Sequence, residues 1–378
     1  MLWRTILLRP QNYTRDGSLG YLSSRLREYL NRSQTLPLRI RLSGLSERAL
    51  SRHPNTMIHW HALIDVLNFH SPRWENVQFS HILKPLLLKF ERQIKGRLPI
   101  LQTVHLSTNF PDFGPLTLDA FAICPKLRRF EYYGNARLGL AVPYDQLNFY
   151  GGGPVLTFPN STTDFRSLKY LRLCSPHSLH PPYFIAPRFL SSRVETLDLV
   201  GSTHMLDYFR LPGLRTLSIN YMFSSVQSIF EMIQHSSCTL TSLTLTTRAF
   251  TDETMIAVFQ ATPALTSLVL SHQESNTTDR LLDRLTVKHD LQIHTSLLLK
   301  LERLSVRLGD GITWSDISFL DMIKSRWYGI SSCSITPTGC ISRLQAIDIK
   351  LPHGQCFMIS DILMNLQTEG LEVSITYN

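Results

Sequence analysis

The sequence predicts an α/β fold in which a short strand and a helix alternate along the chain and the strands stack in parallel. Three observations support this prediction. A Leu-x-x-Leu-x-Leu pattern recurs from residue 101 onward, its last two apolar positions lie two residues apart as in a strand, and helical segments separate its copies. A single short strand cannot bury its apolar face alone, so the copies are expected to share one continuous core.

The recurring pattern marks where strands are expected. It begins at residues 101, 127, 168, 194, 214, 240, 265, 301 and 344, and a weaker copy begins at 371. Several successive starts are 25 to 27 residues apart, within the range of about 20–29 residues for leucine-rich repeats. The prediction is therefore a leucine-rich-repeat solenoid, or horseshoe, with irregular repeats and inserted loops.

Strand periodicity divides the side chains of each copy between two faces. In TPALTSLVLSH (262–272), Leu268 and Leu270 are expected to face the core, whereas Ser267 and Val269 face away. Most outward positions are polar or charged, which indicates that one sheet face meets solvent. A doubly wound nucleotide-binding fold also alternates strands and helices, but its strands are solidly apolar and its first turn is glycine-rich, so the horseshoe is favoured.

Helix signals separate the strands in the second half of the chain. Apolar side chains at helical spacing follow a Ser, Thr or Asp cap in four segments, residues 224–237, 251–263, 315–327 and 360–370. In the second of these, Thr251 or Asp252 is the expected cap. Gly370 is placed to close the last helix, since glycine tolerates the left-handed conformation that ends many helices.

Three regions depart from the pattern. Residues 133–166 hold the triplet Gly151-Gly152-Gly153, and we interpret them as a long loop, with edge strands as an option. A phosphate cradle is not favoured there, because no Walker or GxGxxG pattern is present. Residues 174–189 form a proline-rich insert, and residues 271–297 are interpreted as a surface excursion. Long loops on a rigid scaffold often carry recognition.

The first hundred residues differ from the rest. They predict a helix at 19–32, a strand around 36–42, a helix at 56–70 and a strand at 75–79. We therefore divide the chain into a basic N-terminal cap with degenerate first repeats, residues 1–100, and a leucine-rich-repeat array, residues 101–378.

The net charge of +9 comes from the N-terminal segment. Residues 1–100 hold 16 Lys and Arg against 6 Asp and Glu, whereas the remainder holds 22 against 23. This excess is typical of ordinary solvated helices, or of an electrostatic patch for an acidic partner. Nucleic acid is not favoured, because no Lys/Arg run or stacking motif is present. An acidic protein partner stays open.

Composition indicates a reduced cytoplasmic or nuclear protein. The six cysteines lie far apart without a CxxC pair, unlike a disulfide framework. No apolar run approaches the roughly 20 residues that span a bilayer, so no membrane association is expected. The first residues, MLWRTILLRP, lack the features of a secretory signal.

The N-terminal phrases carry a resemblance to a known family. LW.TI.L, a helix with YL.RS...PL.I.L, and L..HSPRW..V.FS resemble the F-box leucine-rich-repeat proteins abundant in mushroom-forming fungi. The matching positions are Leu2-Trp3, Ser33, Pro37-Leu38, His70-Ser71 and Arg73-Trp74. The resemblance implies irregular repeats up to the C terminus that hold a substrate protein for a cullin-type ubiquitin ligase.

The F-box of that family precedes LW, and this chain begins there, so the F-box itself is expected to be missing. Docking on the ligase adaptor is accordingly expected only if an F-box exists upstream. The sequence leaves open whether the gene model is truncated.

The sequence predicts neither an enzyme nor a cofactor or metal site. His59 and His61 are two residues apart, which does not suit metal ligands on one helix face. His353 and Cys356 lack a surrounding nucleophile motif, and no P-loop, GxSxG or HExxH pattern occurs. A hydrolase with dispersed catalytic residues stays as an alternative.

The predicted protein-binding surface is the row of outward strand side chains on the concave face. Tyr170 and Arg172 are the principal candidates, because Tyr and Arg tend to anchor protein interfaces. The full candidate set is His105, Arg129, Glu131, Tyr170, Arg172, Asp198, Ser218, Thr244 and Arg303. The sequence thus favours substrate recognition within a ubiquitin ligase, with a ligase-independent interaction scaffold as the alternative. The identity of the bound protein cannot be read from the residues.

Overall fold

The computed structural model describes residues 4–9, 18–43, 56–108, 116–134, 138–152, 165–174, 189–201, 203–222, 227–247, 251–272, 278–288, 296–307, 315–328, 341–351 and 360–377. The chain divides into two compact units, Met1–Pro176 (unit 1) and His177–Asn378 (unit 2). Each unit is an α/β structure built on a parallel sheet. The division lies beyond residue 100, and strands on the two sides of that residue pair with each other, Val77 opposite Val104.

Unit 1 contains a parallel sheet whose strand order follows the chain. Its strands are β1 (Thr5–Leu8), β2 (Leu38–Ser43), β3 (Trp74–Ser80), β4 (Thr103–Thr108), β6 (Arg129–Gly134), β8 (Phe149–Gly152) and β9 (Tyr170–Cys174). Two short strands, β5 (Leu116–Leu118) and β7 (Leu138–Leu140), pair separately.

Among the described residues of unit 1, three helices cover the apolar side of this sheet: α1 (Ser18–Arg32), α2 (Thr56–Phe69) and α3 (Lys84–Ile94). The first two confirm the predicted helices, and α3 was not predicted. Each helix packs against the next. Arg73 joins α1 to β3, because its guanidinium donates hydrogen bonds to the Ser33 hydroxyl (2.6 Å) and the Leu36 carbonyl (2.9 Å) at the end of α1. Trp74 is fully buried beside it, which gives the Arg73-Trp74 pair a structural role.

Unit 2 repeats the arrangement with strands β11 (Thr196–Val200), β13 (Thr216–Met222), β14 (Ser242–Thr247), β15 (Ser267–His272), β16 (Arg303–Arg307), β17 (Ala346–Leu351) and β18 (Glu372–Tyr377). All their pairings are parallel. A separate pair comprises β10 (Phe189–Leu190) and β12 (Phe209–Arg210).

In the part of unit 2 that the structure describes, five helices lie between the strands: α4 (Gln227–Ser236), α5 (Asp252–Ala261), α6 (Asp279–Leu285), α7 (Asp316–Tyr328) and α8 (Ser360–Thr368). The predicted Thr251 cap is confirmed, since its hydroxyl accepts a hydrogen bond from the Thr254 amide. Gly370 has φ of +104° directly after α8, as expected for a helix-closing glycine. The predicted caps Ser224 and Ser225 lie outside the described residues.

The apolar positions of the recurring pattern form the core. All three positions in each of the nine principal copies are at most 3% exposed, including Leu265, Leu268 and Leu270. This confirms the predicted inward side chains. The weak copy at 371 is offset, because Val373 and Ile375 of β18 pair with the inward Ile347 and Ile349 of β17. Burying each such side chain contributes about 1.5–3 kcal/mol to stability.

The interpretation of residues 133–166 as a long loop was wrong at its centre. Strand β8 lies inside the sheet, between β6 and β9, and it is not an edge strand. Leu147 and Tyr150 are buried at the first two apolar positions, and Gly152 takes the third. The Tyr150 ring fills the space that a leucine at 152 would use, because a Cβ there would lie 2.9 Å from the Tyr150 hydroxyl. Because Tyr150 and Gly152 stand where most other copies of the pattern have leucine, this copy was not recognised in the sequence.

The interpretation of residues 271–297 as a surface excursion was wrong in part. Helix α6 lies within that stretch and buries Leu281, Leu282 and Leu285. Thr278 caps it by accepting a hydrogen bond from the Arg280 amide. The proline-rich insert at 174–189 lies almost entirely outside the described residues.

Candidate functional site

The side of the unit 1 sheet opposite the core carries the most varied chemistry in the described part of the chain. Strand register aligns its side chains in two lateral rows. One row contains Thr5, Arg39, Asn76, Thr103, Arg129, Phe149 and Tyr170, and the other contains Leu7, Arg41, Gln78, His105, Glu131, Gly151 and Arg172. We call this surface the unit 1 face.

Glu131 is the centre of a hydrogen-bonded cluster on this face. Its carboxylate accepts hydrogen bonds from Arg129 Nε (2.6 Å) and from the Tyr133 hydroxyl (3.0 Å). His105 Nδ1 lies 3.2 Å from its second oxygen. Glu131 is only 7% exposed, so these neighbours cover a carboxylate that the alternation alone placed on an open surface.

The cluster fixes the protonation state of Glu131. Burial raises the pKa of this carboxyl, but the hydrogen bonds from His105 and Arg129, the positive charge of Arg129 and the Tyr133 hydrogen bond outweigh burial and lower the pKa to about 2. Burial, together with the charge of Glu131, raises the pKa of Tyr133. At neutral pH the centre of the face is therefore an ionised carboxylate held by neutral and cationic donors.

An aromatic stack adjoins the cluster. The Phe149 and Tyr170 rings are stacked with centroids 4.5 Å apart. The Arg129 guanidinium lies 3.7 Å from the Phe149 ring centroid, at cation–π distance. Phe149 is buried, whereas Tyr170 is half-buried, so Tyr170 is the aromatic residue of this stack that a ligand can reach.

Gly151 leaves room for the cluster. A Cβ at this position would lie 3.2 Å from Glu131 Cγ and 3.2 Å from the Tyr133 hydroxyl. The absence of a side chain at Gly151 on strand β8 thus lets Glu131 and Tyr133 meet above the backbone. Gly151 therefore has a packing role at this point.

The corresponding surface of unit 2 is built differently. Asn220 donates hydrogen bonds to Asp198 (3.2 Å) and Ser218 (3.1 Å), and its carbonyl accepts one from Thr246 (3.2 Å). Ser305 donates to Asp348 (2.9 Å). Short hydroxyl side chains predominate, and we call this surface the unit 2 face.

The structure places all nine predicted residues on outward strand positions and brings five of them together. His105 and Arg129 each contact Glu131, and Tyr170 and Arg172 flank these three residues on β9. The other four are spread over the unit 2 face, where Asp198 is buried, Ser218 and Thr244 are half-buried and Arg303 is exposed. Binding by any of these residues stays a prediction.

Sequence reasoning missed Tyr133 and Phe149. Tyr133 is the next outward position on β6 after Glu131. Phe149 is an outward position on strand β8, which was not recognised in the sequence. Extending Leu-x-x-Leu-x-Leu to aromatic and glycine residues identifies LNFYGG (147–152) and with it Phe149.

Within the described residues, no group of three or more His, Cys, Asp and Glu side chains is arranged to hold a metal ion. His59, His61 and His70 are each half-buried, and burial together with Arg73 lowers the pKa of His70. His353 and Cys356 lie outside the described residues. None of the described helices is long and apolar enough to cross a bilayer.

Comparison with known proteins does not identify a family for this chain. No protein-family model matches the chain, and a search of curated proteins finds no significant match. The functional conclusion therefore depends on the geometry of the two faces.

Proposed function

We propose that this chain is a leucine-rich-repeat protein-binding module that holds a partner protein on the unit 1 face. The single observation that carries the proposal is the cluster centred on Glu131 and joined to the Phe149–Tyr170 stack. Protein interfaces favour Tyr and Arg on pre-organised surfaces, because few side-chain rotamers must then be immobilised on binding.

The repeat assignment belongs to the same proposal. In support of it, the apolar positions of each copy are buried, strands pair in chain order, and common steps of 25 to 27 residues separate the copies. A stack of strand–helix units of this length is the architecture of leucine-rich repeats. These proteins use one sheet face for binding.

We further propose that the module is the substrate-recognition part of an F-box protein in a cullin-type ubiquitin ligase of the cytoplasm or nucleus. The support is the N-terminal resemblance carried by Arg73-Trp74 and its neighbours. A ligase-independent interaction scaffold is the second candidate, favoured by the fact that the recognition geometry needs no residue outside the described strands. Genomic sequence upstream of Met1 separates the two candidates. In-frame F-box helices in that sequence would support the ligase, and their absence would support the scaffold.

Affinity capture tests the binding face. Full-length wild type and the double variant Tyr170→Ala/Arg172→Ala are used as baits, with Ser242→Ala/Thr244→Ala on the unit 2 face as the matched control. We expect the first pair of substitutions to remove a protein that wild type and the control both retain. The same captured proteins with all three baits would refute the assignment.

A further inference from the structure

We infer that the unit 1 face recognises an acidic segment of its partner protein, in which apolar side chains are flanked by carboxylates and which crosses the strands in an extended conformation. This inference rests on the proposed function and specifies the chemistry of its ligand. The observations that carry it are the excess of arginine on this face and the spacing of those arginines along the strand rows.

The charge balance of the unit 1 face favours an acidic ligand. The described positions of the face and the adjoining strand starts hold five arginines against two glutamates, Arg4, Arg39, Arg41, Arg129 and Arg172 against Glu75 and Glu131. Both carboxylates are already engaged. Glu75 accepts from Arg4 (2.5 Å) and Arg39 (3.3 Å), and Glu131 accepts from Arg129. Among the described positions of this face, arginine charges outnumber glutamate charges, which favours an incoming carboxylate.

Arg41 is the most available of these cations. Its side chain is exposed on the outward side of β2. Among the described residues, no carboxylate pairs with it. Its planar guanidinium matches a carboxylate in two parallel hydrogen bonds, which a flexible lysine does not reproduce.

Spacing defines the length of the ligand. Adjacent strands lie about 4.8 Å apart, and Arg41 and Arg172 occupy the same lateral row at strands β2 and β9. The five intervening steps correspond to about 24 Å, or about seven extended residues. Carboxylates near the two ends of such a segment reach both arginines, and an apolar side chain near the β9 end reaches the half-buried ring of Tyr170.

The same geometry disfavours a phosphate backbone. A nucleic-acid strand carries one negative charge about every 3.4 Å and must therefore place a phosphate close to Glu131, which stays ionised because its pKa is about 2. A peptide that crosses the same row can place an uncharged side chain at Glu131. Single-strand binders also stack successive bases on several aromatic rings. On the Phe149–Tyr170 stack only Tyr170 is partly exposed.

Fluorescence anisotropy tests the inference with three labelled probes. The probes are the peptide Glu-Phe-Glu-Glu-Phe-Glu-Glu, its counterpart with every Glu replaced by Gln, and a seven-nucleotide oligothymidylate. We expect the acidic peptide to bind about tenfold more tightly than the Gln peptide, with an affinity that falls as salt rises. Arg41→Glu weakens this binding about tenfold, whereas Arg303→Glu on the unit 2 face changes it less than about twofold.

Equal binding of the two peptides, or Arg41-dependent binding of the oligothymidylate that is tighter than that of the acidic peptide, overturns the inference. Partner capture with the Arg41→Glu bait separates its failure from that of the proposed function. Loss of a partner with Tyr170→Ala/Arg172→Ala but full retention with Arg41→Glu leaves the binding face intact and overturns only the acidic ligand. Retention with both baits overturns both.

Discussion

The two units share one construction principle and use the surface opposite their cores in different ways. In both, the inward positions of the nine principal copies of the pattern are apolar and almost completely buried. The unit 1 face presents arginines, a buried glutamate and aromatic rings, whereas the unit 2 face presents mainly Ser and Thr hydroxyls that bond to Asn220 and Asp348. Since the cores are alike, the two units differ mainly in the chemistry of these faces.

Charge also has a different place in the two units. Unit 1 displays its arginines on a strand face, but unit 2 encloses one completely. Arg326 is fully buried on α7 and donates hydrogen bonds to the carbonyls of Leu285 (2.8 Å), Leu297 (2.7 Å) and Leu298 (2.9 Å). Burial lowers the pKa of this guanidinium to about 10, so it remains charged at neutral pH. Arg326 stabilises the segment after α6, and it is not available to a partner.

The largest expected change in stability comes from replacing the buried Arg326. Arg326→Met leaves three buried carbonyls without their donor, so we expect a loss of about 3–5 kcal/mol in the free energy of unfolding. Arg303→Met, at an exposed position of unit 2, is the control and should change stability by less than about 0.5 kcal/mol. Urea denaturation measures both variants. Similar losses for the two would show that Arg326 has no special structural role.

The next comparison concerns the cores. Leu171→Ala in unit 1 and Leu217→Ala in unit 2 each remove a fully buried side chain from the same position of the pattern. We expect both to cost about 2–5 kcal/mol, because each leaves a cavity in a sheet core. Urea denaturation of the two variants checks this. A negligible cost for either would contradict the equivalence of the two cores.

A smaller, pH-dependent effect is expected at Glu131. Glu131→Gln removes charge-assisted hydrogen bonds and should cost about 1–2 kcal/mol at neutral pH. The folded pKa of about 2 lies below the ordinary value of 4.5, so the stabilisation is present above about pH 4.5 and is lost as pH falls towards 2. The stability difference between wild type and variant should therefore shrink over that range. A difference that stays constant from pH 6 to pH 3 would contradict the cluster.

The smallest effect is expected on the unit 2 face. Thr246→Val removes one hydrogen bond to Asn220 at a half-buried position, so stability should fall by about 0.5–1 kcal/mol. Partner binding should stay unchanged. Urea denaturation and affinity capture are the measurements, and loss of the captured partner would assign recognition to unit 2 instead.

The fold was predictable where leucines stand at every inward position. Strand β15, with Leu268 and Leu270, is an example, because a period of two specifies both the strand and its buried face. Strand β8 was not recognised, since Tyr150 and Gly152 together fill the space of two leucines and only the neighbouring strands reveal this.

The binding residues were predictable one by one, but their grouping was not. Alternation placed His105, Arg129 and Glu131 outward. The contact of Glu131 with Tyr133 across the space above Gly151 depends on strand register and on a glycine in another strand. Arg326 gave no signal, because its partners are backbone carbonyls in distant segments.

Site-specific photocrosslinking tests the central claim most directly. A benzoylphenylalanine is placed at Thr103 on the unit 1 face or at Ser242 on the unit 2 face, both half-buried outward positions, and each full-length chain is illuminated with its captured partner. We predict a covalent adduct with the partner from position 103 and none from position 242. An adduct from position 242 alone would contradict recognition by the unit 1 face.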